Sequence, residues 1–364
     1  MRYDIESFEV PYARVKGRDL VLWVNKPKAK GNFPVFLDIH GGAWTHFDHK
    51  VDFVWCQELA RRGFTVCSID FRLAPDHPWP TFLCDVRAAS RWVHAHGKEI
   101  GADASVMGAI GGSTGGHLSL LLGLQPNDPR GRVTPALDTP DDAPAGIDFV
   151  CANYPIVDVL ARYQMVKGAR FDPLTQFAAK QITEAIRRRV ERGGGVTKNQ
   201  HGPGRLGNPS AIMERVLKLR EENPWLGNAV GWGLQRALDS FGKLSVIKAV
   251  EYPSIVAAHD GAYSSEAEMI EASPTGICER REFQALPSIL IQQGHDDPNM
   301  SDEMTENFAR AYRRVGGEVE LLFLENHGHG FGNLPSPQAD RMIDRAEALA
   351  RRTMAKKRSP AFQK

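Results

Sequence analysis

The stretch from residue 105 to 124 constrains this chain more than any other. An apolar run at 106–110 leads directly into Gly111-Gly112-Ser113-Thr114-Gly115, and an apolar helical pattern at 117–124 leads directly out. A strand, a tight turn and a helix in immediate succession crowd φ and ψ at the corner, so the flanking positions must be small. Gly111, Gly115 and Gly116 meet that need. Such a turn lifts the Ser113 hydroxyl clear of a sheet edge and aims the Thr114 N–H, at the helix N-terminus, toward the same point. The pattern G-x-S-x-G recurs by chance in many chains; its weight here comes from the flanks.

The rest of the chain repeats that strand–helix grammar. Strands are expected at 20–24, 35–39, 64–69, 105–110, 148–151, 288–291 and 319–324. Several are continuous β-branched or aromatic runs, as strands buried on both faces require. Between them, 51–62 and 81–95 carry helical apolar stripes. Ser301 caps a helix that ends near Gly316-Gly317, and Ser336 followed by Pro337 opens another. The expected fold class is α/β, a mostly parallel central sheet with helices on both faces.

The alternation stops from about residue 160 to 259. Helical stretches at 174–192, 211–222 and 225–241 surround a Gly-rich loop at 193–209 that is placed to gate an entrance. The expected organisation is a core of residues 1–159 and 260–354, an inserted helical cap at 160–259, and a flexible basic tail at 355–364. Arg187, Arg188, Arg189 and Arg192 read as a solvated helix end whose charges suit the C-terminal dipole. Trp44, beside a glycine turn, and Trp225, Trp232, Phe241 and Tyr252 in the insert are the candidates to line an apolar or aromatic pocket.

A serine hydroxyl needs a base, and the base needs an orienting acid. In sheets of this kind the chain order is serine, acid, histidine. Of twelve histidines, only His327 and His329 lie late enough to follow an acid at the end of a late strand, and Asp296 and Asp297 follow the strand before them. Loops after successive parallel strands share the C-terminal edge, where Ser113 also stands. After the strand at 35–39 comes His40-Gly41-Gly42-Ala43-Trp44, whose bare glycine backbone can offer N–H groups to an oxyanion, with His40 bracing the turn.

Five ordered motifs, HGGAW, DFRLAPDHPWPTFLCDV, GGSTGGHL, GHDDP and HGHGF, resemble α/β-hydrolase fold serine esterases of the hormone-sensitive-lipase-like and the feruloyl and acetyl xylan esterase group. The likeness covers roughly residues 15–158 and 262–350. It implies Ser113 as nucleophile, His329 rather than His327 as base, Asp297 rather than Asp296 as acid, and oxyanion donors from Gly41, Gly42 and Thr114. It also implies that Arg72 and Asp85 lock the loop beneath the oxyanion turn. The chain departs from the group at Ala43, where many relatives have a third glycine, and at Gly112, where lipase-like relatives carry an acid. The insert at 160–259 has no counterpart there.

The expected activity is therefore carboxylic ester hydrolysis through an acyl-enzyme on Ser113, with a small or medium, apolar or aromatic substrate. An arylformamidase-like small-amide hydrolase or a lactonase with the same three residues is the alternative, and a non-hydrolytic ligand-binding or cyclising protein is a third class. No cofactor is expected, and His46-x-x-His49 and His327-x-His329 form no compact metal signature. A formal charge of +1 gives no reason to expect nucleic acid, and no run of about 18 apolar residues suggests a membrane span. Five scattered cysteines and a charged N-terminus point to a reducing, cytoplasmic setting. The insert's apolar face offers a surface for a homodimer.

Overall fold

A computed structural model describes residues 2–129, 134–140, 142–191 and 245–359. The expected helices at 211–222 and 225–241, the loop at 193–209, Arg192, and the pocket candidates Trp225, Trp232 and Phe241 lie outside the described residues.

Eight strands form one sheet: β1 (Ile5–Val15), β2 (Arg18–Pro27), β3 (Phe33–Ile39), β4 (Thr65–Ile69), β5 (Ala102–Gly112), β6 (Phe149–Asn153), β7 (Ser288–Gly294) and β8 (Val319–Leu324). Their order is β1-β2-β4-β3-β5-β6-β7-β8. From β4 to β8 all neighbours run parallel, while β2 joins β4 and β1 joins β2 antiparallel. Every residue of β4 and β6 is buried, which is why those strands read as unbroken apolar runs. β1 was not expected. It lies at the sheet edge with Glu6, Glu9, Pro11 and Arg14 in its sequence and a bulge between Pro11 and Ala13, so its periodicity is broken.

Helices cover both faces. On one side, α1 (Phe53–Arg61) and the C-terminal helix α10 (Pro337–Arg358) bury Trp55, Leu59, Met342, Ile343 and Ala346 against the sheet. On the other, α2 (Thr81–His96), α3 (Thr114–Leu124) and α9 (Asp302–Arg314) bury Phe82, Val86, Leu118, Leu121 and Phe308. The expected caps form: Ser301 Oγ accepts from Met304 N at 3.2 Å, and Ser336 Oγ from Ala339 N at 3.1 Å. Between β6 and β7 come α4 (Val159–Gly168), α5 (Pro173–Glu191), α6 (Ser245–Ala262), α7 (Glu266–Glu271) and α8 (Pro274–Arg280). Described helices thus lie on both sides of residue 259 before β7 begins, and the last of them packs Ile277 and Cys278 into the main core.

Behind β3 two carboxyls share a dry space. Asp38 accepts from Trp55 Nε1 at 2.8 Å and is fully enclosed, and Asp52 is buried nearby with one oxygen lacking a protein partner. Removal from water holds the Asp38 carboxyl up at about 6, and burial, with the Asp38 charge added, raises the Asp52 carboxyl well above its ordinary value. A carboxyl raised in the folded state keeps its proton where the unfolded chain has released it, so Asp38 costs stability as pH climbs from about 4 through about 6. Asp38→Asn should therefore gain on the wild type by roughly 1–3 kcal/mol between pH 4.5 and 7.5. Urea unfolding at a series of pH values reads this, and a pH-independent difference would contradict it.

Candidate active site

Ser113 occupies the corner between β5 and α3 with φ 55° and ψ −118°, a left-handed conformation costly for a side-chain-bearing residue. Neighbouring backbone holds it there: its N–H donates to Asn153 O at 2.9 Å, and its carbonyl accepts from His117 N at 3.0 Å. The corner closes because bare backbone fills it. A Cβ at Gly115 would stand 1.7 Å from the Ile39 carbonyl oxygen.

The turn expected to supply oxyanion donors lies directly beside it. A Cβ on Gly41 would meet Gly112 O at 3.0 Å and Ser113 Cβ at 3.5 Å. Gly42 adopts φ +109°, and its carbonyl accepts from Thr45 N and His46 N, which closes the turn. Among the described residues, the N–H groups of Gly41, Gly42 and Thr114 enter none of the surrounding turn hydrogen bonds. His40 stacks on Phe71 with centroids 4.2 Å apart, and Ala74 N donates to Trp44 O at 2.9 Å. The loop beneath is fixed by Arg72, which gives Asp85 its backbone N–H, Nε and Nη2 at 2.7–2.9 Å. Thr134 Oγ1 adds a bond of 2.6 Å to the same carboxylate.

The late loops arrive at the same rim. His329 Nε2 lies 2.9 Å from Ser113 Oγ, and His329 Nδ1 lies 2.8 Å from Asp297 Oδ2. These partners assign Nδ1 as the N–H donor to the carboxylate and Nε2 as the acceptor of the serine proton. The Asp297 side chain is shut off from solvent, and its Oδ1 accepts from Asn299 N at 2.8 Å and Met300 N at 3.1 Å. Both oxygens are thereby engaged. Asp296 contributes backbone instead, its N–H donating to His327 O at 3.0 Å to lace the two loops together. His327 stacks on Phe331, and its Nδ1 lies 3.0 Å from Asn326 O. The structure thus joins Ser113, His329 and Asp297 in one hydrogen-bonded chain and leaves His327 and Asp296 outside it.

Trp44 departs from expectation. Its ring is fully enclosed, edge-on to His117, His259 and Tyr263, with Nε1 3.4 Å from His117 Nδ1. It backs the glycine turn from inside and does not line an open pocket, because the chain turns sharply at Ala43 and Trp44 (φ 50° and 61°) and drives the indole inward. Tyr252 is also buried, its hydroxyl donating to Pro298 O at 2.7 Å, so it fastens α6 to the loop that carries Asp297.

Sequence reasoning missed Tyr154. Its ring sits edge-on to His329 at 4.9 Å and its hydroxyl donates to Asn333 Oδ1 at 2.6 Å. A Cβ at Gly112 would lie 2.5 Å from that hydroxyl, which explains the glycine where lipase-like relatives carry an acid. Its place just past β6, on the same edge as the other functional loops, was the available signal. Among the described residues no three His, Cys, Asp or Glu side chains gather in a metal-holding group, and no helix is long and apolar enough to cross a membrane. All five cysteines are buried thiols.

The fold is that of the α/β hydrolases. Native esterase 2 of the Planctomycetes species Thermogutta terrifontis superposes with a TM-score of 0.57 at 19% identity, covering 94% of this chain and 90% of that one. A bacterial heroin esterase gives 0.57 at 20% identity, covering 96% and 84%. Residues 22–189 match the BD-FAE family model. Esterase LipC of Mycobacterium tuberculosis is 37% identical over 131 residues, 35% of this chain and 32% of that protein. The probable carboxylic ester hydrolase LipM of the same organism is 42% identical over 101 residues, 28% and 23%. The chain therefore spans about a third or less of the length of these curated relatives. The matches bear out the resemblance drawn from the five motifs.

The bond between His329 and Asp297 makes a spectroscopic prediction. A far-downfield imidazole Nδ1–H proton resonance should be present in the wild type and in Asp296→Asn, and absent in Asp297→Asn. Its persistence in Asp297→Asn would reject the assigned pairing.

Proposed function

We propose that the chain is a serine carboxylesterase. The single observation that carries the reading is the continuous chain from Asp297 through His329 to Ser113, with Gly41 packed against the serine Cβ. The relatives named above are esterases and carboxylic ester hydrolases, which favours an ester over an amide or a lactone.

In this reading Ser113 Oγ attacks the ester carbonyl while its proton passes to His329 Nε2, and the carbonyl oxygen becomes an anion facing the N–H groups of Gly41, Gly42 and Thr114. Collapse breaks the carbon–oxygen bond to the alcohol, which leaves with the proton from Nε2. Water then repeats the sequence on the acyl-enzyme and releases the acid. Asp297 holds the imidazole tautomer and stabilises the imidazolium without itself being protonated. The substrate is a small or medium carboxylic ester.

A panel of p-nitrophenyl esters, lactones and aryl formamides, run beside Ser113→Ala, tests this. Esters should be the preferred class, and Ser113→Ala should lower kcat by on the order of 10⁵–10⁶. Asp297→Asn should cost on the order of 10⁴, and Asp296→Asn should stay within about fivefold of wild type. Failure of a fluorophosphonate probe to label folded protein, or equal mild losses for both aspartates, would end the esterase reading.

A further inference from the structure

Behind the nucleophile lies a cluster that the hydrolytic mechanism leaves unused. Arg162 projects from α4 with only 2% of its surface exposed. Among the described residues it forms no salt bridge. Among those residues its side chain has one polar contact, Nη1 to His259 Nε2 at 3.3 Å, and its Nε is buried without a partner. The Tyr263 hydroxyl is buried and equally without a partner. Trp44 ties these groups to the site, its ring edge-on to both His259 and Tyr263 and also to His117, one helical turn after Ser113.

The neighbours cannot neutralise this cation. His259 gives its Nδ1–H to Ile255 O at 2.7 Å, so it meets Arg162 as a neutral ring with Nε2 accepting. Burial and the nearby guanidinium hold His259 down at about 3, and burial holds His117 down at about 4. Burial pulls the guanidinium itself to about 10, so it stays charged at neutral pH. The carboxylate whose field reaches it is Asp297, and both oxygens of Asp297 are already bound by His329 and by two backbone N–H groups. An enclosed, unpaired arginine costs several kcal/mol unless an anion completes it.

We propose that Arg162, with the Tyr263 hydroxyl, forms an acyl-end subsite that selects esters whose acyl group carries a terminal carboxylate. A guanidinium Nε–H and a phenol O–H are donors suited to the oxygens of a carboxylate, and the 3.3 Å contact to His259 is the weak bond that such a ligand exchanges. The inference rests on the esterase reading of Ser113 and deepens it.

The experiment compares p-nitrophenyl hemiesters of succinate, glutarate and adipate with p-nitrophenyl butyrate and valerate, on wild type and Arg162→Met. In the wild type at least one hemiester should exceed the neutral esters in kcat/KM by tenfold or more. Arg162→Met should lose about 10²-fold on that hemiester and stay within about threefold on the neutral esters. Arg162→Lys should recover part of the loss, and Tyr263→Phe should lose about fivefold on the hemiester alone. Absence of a hemiester preference, or an equal loss on both ester classes, would overturn the subsite; the latter would make Arg162 a support for Asp297. Wild-type thermal shift with the free dicarboxylates against butyrate reads the same subsite without relying on variants or on turnover. Failure of the esterase reading is distinct: no ester of either class turns over and Ser113 resists the fluorophosphonate probe.

Discussion

Everything at the rim depends on how closely naked backbone can approach at one corner. The Ile39 carbonyl, at the end of β3, would lie 1.7 Å from a Cβ at residue 115 and 2.4 Å from one at residue 111. Those distances leave room for hydrogen and nothing larger. The chain can therefore pass from β5 into α3 while the turn just past β3 lays Gly41 alongside Ser113. Nucleophile and turn are one packing unit. A side chain at either glycine of the corner would separate the serine from the N–H groups beside it, and no adjustment of a distant loop could restore them.

The sheet carries that arrangement outward. Its pairing places Ile39 beside Gly111, Gly112 beside Asn153, Asn153 beside Gln292 and Gly294 beside Leu324, so successive parallel strands end in step. The residues that follow those ends are His40 onward, Ser113, Tyr154, Asp297 and His329. Residues 216 positions apart meet at 2.9 Å because the strand ends are aligned, without any long-range contact having to be arranged separately. The acid and histidine loops are then drawn together by backbone, Asp296 N to His327 O, in a space that a Cβ on Gly294 would block. Tyr154 fills the remaining gap under the imidazole, so the ring is held from one side by a carboxylate and from another by an aromatic edge.

What was legible in the sequence follows from which forces leave a one-dimensional trace. Strands buried on both faces leave continuous apolar runs, and all seven expected strands are present. β1 left none, because an edge strand is half solvated, interrupted by Pro11 and bulged. The choice of Asp297 over Asp296 turned on resemblance, because position in the chain does not separate two adjacent aspartates. In three dimensions backbone donors at 299 and 300 separate them at once. Trp44 read as a pocket residue because an aromatic next to a glycine turn looks the same whether it faces inward or outward. Left-handed φ at Ala43 and at Trp44 itself decides the matter, and it leaves no compositional signature.

Arg162 was invisible for a related reason. A single arginine in a short helix reads as surface, since long charged side chains seldom lose all their water. The contrast with the triad is instructive. Asp297 is just as deeply placed, yet three donors satisfy it, and Asp85 under the oxyanion turn is met by Arg72 and Thr134. Among the described residues the fold thus supplies partners for the buried carboxylates near the rim and none for the Nε of the buried guanidinium. Structural demands alone would favour methionine or leucine at that position, which fill similar volume without desolvating a charge. Retaining the charge is favourable where a ligand meets it, and among the described residues the unpartnered Arg162 Nε and Tyr263 hydroxyl belong to the cluster of His259 and Tyr263 rings that Trp44 meets edge-on.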